Sequence, residues 1–242
     1  MSGTGKAVAI VQSCYIPWKG YFDMIRRVDE FILYDDAQYT RRDWRNRNLI
    51  KTPHGLHWLT IPVDAKGKYT QAIKETQISD AAWHRRHWTT IQANYARAPH
   101  YRAYKAAFED LYLSPQPELL SDVNLRFTSR ICEFLAIPTK LSWSMDYQLV
   151  EGKTERLVSL CRQAGATEYV SGPAARAYLE PSLFEAAGIT LSFMDYTGYP
   201  EYPQSHPPFA HGVSIVDLLM HTGPQARDYL LPALDPARAE HA

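Results

Sequence analysis

The sequence contains no apolar run of the roughly 18 residues that a membrane-spanning helix needs, and this absence excludes a helical membrane protein. The stretch AVAIV at residues 7–11 is too short for a membrane helix, and it is followed at once by the polar Gln12. It is also too short for the apolar core of a signal peptide, so export is not expected. The sequence therefore predicts a cytoplasmic protein without a membrane span.

The chain also lacks a net charge, because 26 Lys and Arg residues are matched by 26 Asp and Glu residues. Domains that bind nucleic acid or anionic membranes usually carry a strong positive field. We therefore expect no nucleic-acid partner, and any anion-binding site must come from a local cluster of basic side chains.

Cysteine is scarce, and Cys14, Cys132 and Cys161 lie far apart without a C-x-x-C pair. This spacing argues against a zinc knuckle and against a disulfide scaffold. His206 and His211 are separated by five positions across two prolines, which is weak evidence for a metal site. We expect reduced thiols, no bound metal and no cofactor.

The opening of the chain has the pattern of a Rossmann-like parallel sheet. A buried strand is predicted at 6–12, a short helix at 18–28 and a second strand at 30–36. Such a unit places a ligand crevice beyond the carboxyl ends of its strands. A further strand is predicted in LHWLTIPV, residues 56–63.

Helices fill the middle of the chain, and strands return after it. Apolar stripes predict one helix over 80–98 and another over 119–135. Beyond them the predicted order is strand 140–144, helix 154–165, strand 167–172, helix 181–188, strand 189–196 and helix 214–223. We expect one α/β domain over 1–242, with a mainly parallel sheet and a helical insertion at 80–136 packed on it.

The motif QSCYIPWKGYF, residues 12–22, follows the first predicted strand. Gln12 ends that strand where α/β sheets bind ligands, and the turn from Pro17 to Gly20 leads into a helix whose free N–H groups can bind an anion. We expect Gln12, Tyr15 and Gly20 to contact the substrate. The alternative is that Pro17 and Gly20 shape a turn while the aromatic side chains fill the core.

The same segment also resembles the strand, loop and helix start of nucleotidylyltransferases, whose helix begins with H-x-G-H. Here the corresponding positions read Pro17-Trp18-Lys19-Gly20-Tyr21. Both histidines are missing, which counts against phosphate-transfer chemistry of that type.

Longer segments along the chain resemble the WbqC-like protein family, and the resemblance covers roughly residues 6–231. The segments that carry it are VQSCYIPWKGYFDMI, DEFILYDDAQYTRRDWRNRNLIK, WLTIPV, HRRHWTTIQANYARAPHY, KTERLVSLCRQAGATEYVSGPAARAYL and YPQSHPPFAHGVSIVDLLMHTGP. Members of this family are encoded in bacterial surface-polysaccharide and other biosynthetic clusters. The resemblance implies transfer of an acyl or aminoacyl group onto an amino sugar.

The segment YDDAQYTRRDWRNRN is the densest polar stretch of the chain and follows the second predicted strand. Asp35 and Asp36 can accept hydrogen bonds from a substrate amine or ribose hydroxyl. Basic side chains in the same segment can hold a phosphate through paired N–H donors; they are Arg41, Arg42, Arg45 and Arg47. A solvated loop whose acids and bases neutralise one another is the alternative, and the resemblance favours a functional role for Asp36, Arg47 and Asn48.

Four further positions are candidates for chemistry or binding. His87 is the strongest candidate for proton transfer, although it shares its helix stripe with Trp83 and a core histidine is the alternative. Cys14 is a candidate nucleophile for thioester transfer, but members of the family resembled often carry another residue at this position. Ser171 ends a predicted strand in a Ser-Gly-Pro turn, and Gln204 lies on a proline-rich loop where binding residues often occur.

Together these observations predict a small-molecule biosynthetic transferase, with His87 and Asp36 as catalytic residues. Gln12, Asp36, Arg47 and His87 are expected to converge on one pocket. The partners expected are a small-molecule substrate such as a nucleotide sugar, and an acyl-carrier or other thioester donor. A nucleotidylyltransferase-like enzyme and a non-catalytic binding module for a nucleotide sugar or carrier protein are the alternatives.

Overall fold

A computed structural model describes residues 5–231 of the chain and contains a five-stranded parallel sheet with a separate two-stranded hairpin. The strands are β1 (Ala7–Val11), β2 (Glu30–Leu33), β3 (Arg47–Thr52), β4 (Gly55–Thr60), β5 (Lys140–Trp143), β6 (Glu168–Ser171) and β7 (Thr190–Phe193). The helices are α1 (Lys19–Arg26), α2 (Trp83–Tyr95), α3 (Tyr101–Leu113), α4 (Leu120–Phe134), α5 (Thr154–Gln163), α6 (Pro181–Ala186) and α7 (Ile215–Thr222).

The sheet order is β5-β2-β1-β6-β7, and each neighbouring pair is parallel. The chain adds β2 and β5 on one side of β1 and then returns to add β6 and β7 on the other side. The direction of winding therefore reverses between β1 and β6, and open α/β sheets bind ligands at such a switch point, beyond the carboxyl ends of the strands. The predicted α/β fold with a mainly parallel sheet is confirmed.

The central strand is apolar because both of its faces are covered. Ala9 packs into a core shared with the helical middle of the chain, whereas Val8 and Ile10 pack into a second core beneath α5 and α6. All three are buried, as expected for a strand in the middle of a parallel sheet. The AVAIV run is thus explained by burial on both sides.

The strand predicted at 56–63 forms, but it does not join the parallel sheet. It is β4, and it pairs with β3 in an antiparallel hairpin closed by Pro53 and His54. A two-residue connection permits only an antiparallel pair, since a parallel neighbour needs a crossover of a dozen or more residues. β3 was not predicted because only Leu49 and Ile50 of its residues are apolar.

The helical middle of the chain packs on one face of the sheet. The stripe predicted for 80–98 is buried in α2, and α3, which was not singled out in the sequence, adds Phe108 and Tyr112 to the same core. This core continues through Phe127 of α4 to Leu219 of α7. Within residues 5–231, no helix combines the length and apolar character needed to cross a membrane.

Candidate functional site

A cavity of about 330 Å³ lies at the switch point between β1 and β6, and we call it the sheet cavity. Gln12, directly after β1, and Ser171, at the end of β6, form part of its wall. Tyr34, directly after β2, and Lys153, directly before α5, form another part. The strand ends therefore place polar groups where the topology predicts a ligand.

The polar groups of the sheet cavity retain unused hydrogen-bonding capacity. The Gln12 side chain is half-buried and has no hydrogen bond to another residue in the described part of the chain. The Ser171 hydroxyl makes a long 3.4 Å hydrogen bond to Tyr169, and Lys153 is exposed without a carboxylate partner among residues 5–231. An amide, a hydroxyl and a cation together suit a hydroxyl-rich ligand that carries an anionic group.

A second cavity of about 350 Å³ lies beside the first, and we call it the loop cavity. Its wall combines Cys14, Pro17 and Asn48 with aromatic side chains and Gly212. The Cys14 thiol accepts a hydrogen bond from Arg45 at 2.9 Å, yet burial outweighs this cation and raises the pKa of the thiol to about 11. The Cys14 side chain is therefore a neutral thiol at neutral pH, which is a weak nucleophile.

Trp18 and Tyr21 line both cavities and form the wall between them. The Trp18 ring makes edge contacts with Tyr196 and Tyr199, at centroid distances of 5.2 and 5.8 Å. The Tyr21 hydroxyl donates a hydrogen bond to the backbone oxygen of Gln12 at 3.1 Å. The opening motif thus supplies residues to each cavity and to the partition between them.

The backbone of the opening motif, residues 12–22, is strained at one residue. Ile16, which is buried, has a φ of +35°. Left-handed backbone costs a β-branched residue on the order of 1–3 kcal/mol, and such strain concentrates at ligand-binding sites. The following residue, Pro17, lines the loop cavity, so the strained peptide shapes the wall of that cavity.

Gly20 does not line either cavity; it makes room for the Trp18 ring. A Cβ atom at this position would meet that ring at 2.3 Å. Gly20→Ala is expected to displace the ring and to lower the free energy of unfolding by about 1–3 kcal/mol, the usual cost of overpacking. Denaturant unfolding of the purified variant measures this loss.

Gly172→Ala is the matched control, because a Cβ there meets nothing closer than Met24 at 4.0 Å. It is expected to change stability by less than about 0.5 kcal/mol. Equal effects of the two substitutions would show that the Trp18 ring does not depend on Gly20.

Asp35 and Asp36 are structural in this geometry, contrary to their expected contact with substrate. Asp35 is fully buried and accepts hydrogen bonds from the Ser13 backbone at 2.8 Å and the Ser121 hydroxyl at 2.6 Å; burial raises its pKa. Asp36 forms an ion pair with Lys74 and accepts a hydrogen bond from Ser144. Neither carboxylate lines a cavity, because both are used to join strand ends to other parts of the chain.

His87 and Tyr15 lie in the core instead of in either cavity. The Nε2 atom of His87 donates to the backbone oxygen of Thr60 at 3.1 Å, so Nδ1 must accept from the Tyr15 hydroxyl at 2.9 Å. Tyr112 then donates to Tyr15 at 2.7 Å. Burial lowers the pKa of His87 to about 4, so the ring is neutral at neutral pH. A neutral ring with a hydrogen bond at each nitrogen agrees with the alternative interpretation of His87 as a core histidine.

Arg47, Asn48 and Gln204 have three different environments. The Arg47 guanidinium lies over the Trp58 ring, 4.0 Å from its centroid. Asn48 lines the loop cavity while its amide donates to the Tyr15 backbone at 3.2 Å. The Gln204 side chain lines neither cavity. Its amide accepts a hydrogen bond from Lys51 and donates to the Ala210 backbone and to Asp217.

The expected convergence on one pocket is therefore corrected. Of the four residues, Gln12 lines the sheet cavity, whereas Asp36, Arg47 and His87 line neither cavity. Sequence reasoning missed Tyr34, because the second strand is predicted to extend to residue 36 whereas β2 ends at Leu33. It also missed Lys153, which directly precedes a predicted helix.

The acid–base composition of the two walls is unusual for a catalytic site. No His, Asp or Glu side chain lines either cavity. Across residues 5–231, no group of three or more His, Cys, Asp or Glu side chains is arranged to hold a metal ion. The titratable groups of the two walls are tyrosines, Cys14 and Lys153.

Comparison with known proteins finds a matching protein family and a relative of similar length. The sequence profile of the WbqC-like protein family matches residues 12–229. The chain is 51 % identical over 225 residues to Rv1507c, an uncharacterised protein of Mycobacterium tuberculosis, and the alignment covers 93 % of this chain and 97 % of that protein. No solved structure matches the chain.

Proposed function

Because the chain belongs to the WbqC-like protein family, we propose that it transfers an acyl or aminoacyl group onto the amine of an amino sugar or a related metabolite. The observation that carries this proposal is the pair of cavities that share Trp18 and Tyr21 as a common wall. Group transfer needs two reactants held side by side, and positioning alone supplies a large part of the rate enhancement.

The two cavities suit different reactants. The sheet cavity has a half-buried amide, a hydroxyl and an exposed ammonium group, so it is assigned to the amino-sugar acceptor. If the acceptor is a nucleotide sugar, its phosphate supplies the anionic group that suits the ammonium. The loop cavity is walled by Pro17, Trp44 and the Trp18 ring, so it is assigned to the less polar acyl thioester. The acyl carbon would then meet the amine beside Trp18 and Tyr21.

The proposed reaction is a direct aminolysis. The amine attacks the thioester carbonyl, the C–N bond forms, the C–S bond breaks, and the proton lost by the amine leaves with the thiol. With no carboxylate lining the sheet cavity, no anion in its wall favours the ammonium form of the amine, and the nearby Lys153 disfavours it. A free amine is the reactive form, so this environment supports attack without an imidazole base.

Cys14→Ser is expected to retain at least about a tenth of the wild-type transfer rate. The Cys14 thiol is neutral at neutral pH because of its burial, and direct aminolysis does not require it as a nucleophile. The rate is measured by mass spectrometry of the amide product, with intact-protein mass recorded in parallel. An inactive variant, together with an acyl adduct on wild-type Cys14, would replace direct transfer with a thiol-acyl mechanism.

The proposed function is tested by a ligand screen followed by a product assay. Amine-bearing nucleotide sugars, free amino sugars, acyl thioesters and aminoacyl thioesters are added separately in a thermal-shift measurement. A ligand at 100 times its dissociation constant stabilises the fold by about 2.7 kcal/mol. Stabilisers of both classes are then mixed and the amide is sought by mass spectrometry; binding without product favours a binding module, and absence of any stabiliser rejects the proposal.

A nucleotidylyltransferase-like reaction is the second candidate, favoured by the cavity at the switch point of the parallel sheet. The helix start argues against it. Lys19 is buried, donates to the Pro200 backbone at 3.1 Å and lies 4.8 Å from the centroid of the Tyr199 ring, so its cation is already engaged. Stabilisation by a nucleoside triphosphate with Mg²⁺, and pyrophosphate release on adding a sugar phosphate, would identify this reaction.

A further inference from the structure

A cluster of large apolar side chains is exposed on and beside the β3–β4 hairpin. Leu56 is 51 % exposed, Trp58 is 39 % exposed and Trp44 is 44 % exposed. The two tryptophan rings pack on each other with centroids 5.3 Å apart. Large apolar side chains that are exposed close together mark contact surfaces.

Basic side chains accompany these apolar groups. Arg47 covers the Trp58 ring and donates to the backbone oxygen of Arg42, whose side chain is exposed. Arg41, the preceding residue, is also exposed and donates to the backbone oxygen of Ala65. None of the three forms an ion pair with a carboxylate within residues 5–231. Asp43 does not neutralise them, because it is engaged by Thr40, by the Trp44 backbone and by Arg45. We call the six residues Arg41, Arg42, Trp44, Arg47, Leu56 and Trp58 the aromatic-arginine patch.

The composition of the patch is that of a protein-binding surface. Tryptophan and arginine are enriched at the energetic centres of protein interfaces, where aromatic rings are desolvated and guanidinium groups meet acidic partners. The positive charge is local, since the whole chain has no net charge. An acidic partner is therefore attracted to this patch and not to the protein as a whole.

The patch is continuous with the loop cavity. Trp44 belongs to the patch and also lines that cavity, whose wall includes Cys14. A cavity of about 350 Å³ is too small for a folded partner but large enough for a flexible chain bearing an acyl group. A partner bound to the patch would therefore contact the Trp44 side of the loop cavity.

From this arrangement we infer that the aromatic-arginine patch docks an acidic carrier protein, which delivers its acyl group on a flexible thioester-linked arm into the loop cavity. The inference rests on the proposed function for the identity of the transferred group. The patch itself, its charge and its continuity with the cavity do not depend on that reaction.

The test compares two donors that carry the same group: an acetylated acyl carrier protein and acetyl-pantetheine free in solution. The variant Arg41→Glu/Arg42→Glu reverses charge on the patch without altering a residue of either cavity wall. We expect its KM for the carrier-linked donor to rise by about tenfold or more at low salt, because charge complementarity governs association. The KM for free acetyl-pantetheine is expected to stay within about twofold of wild type.

The control variant Arg162→Glu/Arg227→Glu makes the same change in net charge at exposed arginines outside the patch. It should leave the KM for both donors unchanged. Melting temperatures of all variants exclude unfolding as the cause of any loss. Equal KM changes for the two donors in the patch variant would overturn the inference.

A binding measurement with the carrier protein separates failure of the docking inference from failure of the proposed function. If neither donor yields an amide, calorimetric titration of wild type and both double variants with the unacetylated carrier protein still tests the patch. Binding that is lost only in Arg41→Glu/Arg42→Glu supports docking, whereas absence of binding overturns it. Binding of a single-stranded oligonucleotide in place of the carrier, lost in the same variant, would also overturn it and assign the patch to nucleic acid.

Discussion

Replacing His87 with alanine is expected to lower the free energy of unfolding by about 3–5 kcal/mol at pH 7.5. The substitution removes a buried aromatic ring, takes one of two hydrogen-bond partners from the Tyr15 hydroxyl and removes the His87 donor from the Thr60 carbonyl. Loss of a large core side chain and of buried hydrogen-bond partners both contribute costs of this order. Denaturant unfolding measures the loss, and His54→Ala, at an exposed histidine, is the control.

The stability that His87 supplies is expected to decrease as the pH falls. Burial holds the pKa of His87 near 4, against about 6.5 for an ordinary histidine, so between these values the unfolded chain binds a proton that the folded chain does not. The stability supplied by neutral His87 is complete above pH 6.5 and decreases as the pH falls to 4, by about 3 kcal/mol in total. The stability difference between wild type and His87→Gln should therefore shrink over this range; a difference that stays constant would contradict the depressed pKa.

The same variants distinguish a core histidine from a catalytic base. A general base typically contributes about 10²–10⁴ in rate, whereas a core histidine contributes through the fraction of folded enzyme. We expect His87→Gln to retain most of its transfer activity at a temperature and pH where it is still folded. A hundredfold loss in fully folded protein would restore the catalytic role expected from the sequence.

Blocking either cavity is expected to abolish transfer, but with different effects on the two ligands. Ala174 is exposed and lines the sheet cavity, so Ala174→Trp fills that cavity without entering the core. Acceptor binding should weaken by about 100-fold, equivalent to about 2.7 kcal/mol. Donor binding should remain. Ala177→Trp, in the same short helical turn but outside the cavity wall, is the matched control.

Gly212→Phe should have the reciprocal effect. Gly212 lines the loop cavity and is exposed, and a Cβ atom at this position would have no neighbour within 4 Å, so the cavity itself accommodates a large side chain. Gly212→Ala occupies little of the space and serves as its control. Calorimetry with each ligand alone, followed by mass spectrometry of the product, measures both effects. Loss of the same ligand in both blocking variants would disprove separate donor and acceptor cavities.

Local residue patterns were sufficient to predict those parts of the fold that depend on neighbouring residues. An apolar run bounded by polar residues predicts a strand buried on both faces, and β1 meets this prediction. Open parallel sheets bind ligands beyond the carboxyl ends of their strands, and Gln12 and Ser171, which both follow or end a predicted strand, line the sheet cavity. The amphipathic stripes of α2 and α4 follow from the same kind of local periodicity.

Local patterns did not reveal which polar residues face a cavity and which form hydrogen bonds inside the protein, because packing across the core determines this. Asp35 is bonded to Ser121, 86 positions away, and His87 to Tyr15, 72 positions away. A carboxylate or an imidazole has the same sequence signature in a site and in a buried network, because its role is set by the partner that satisfies its hydrogen bonds. Packing across the core brings that partner close. Because the partner is far away in the sequence, the residues next to the carboxylate or imidazole do not predict it.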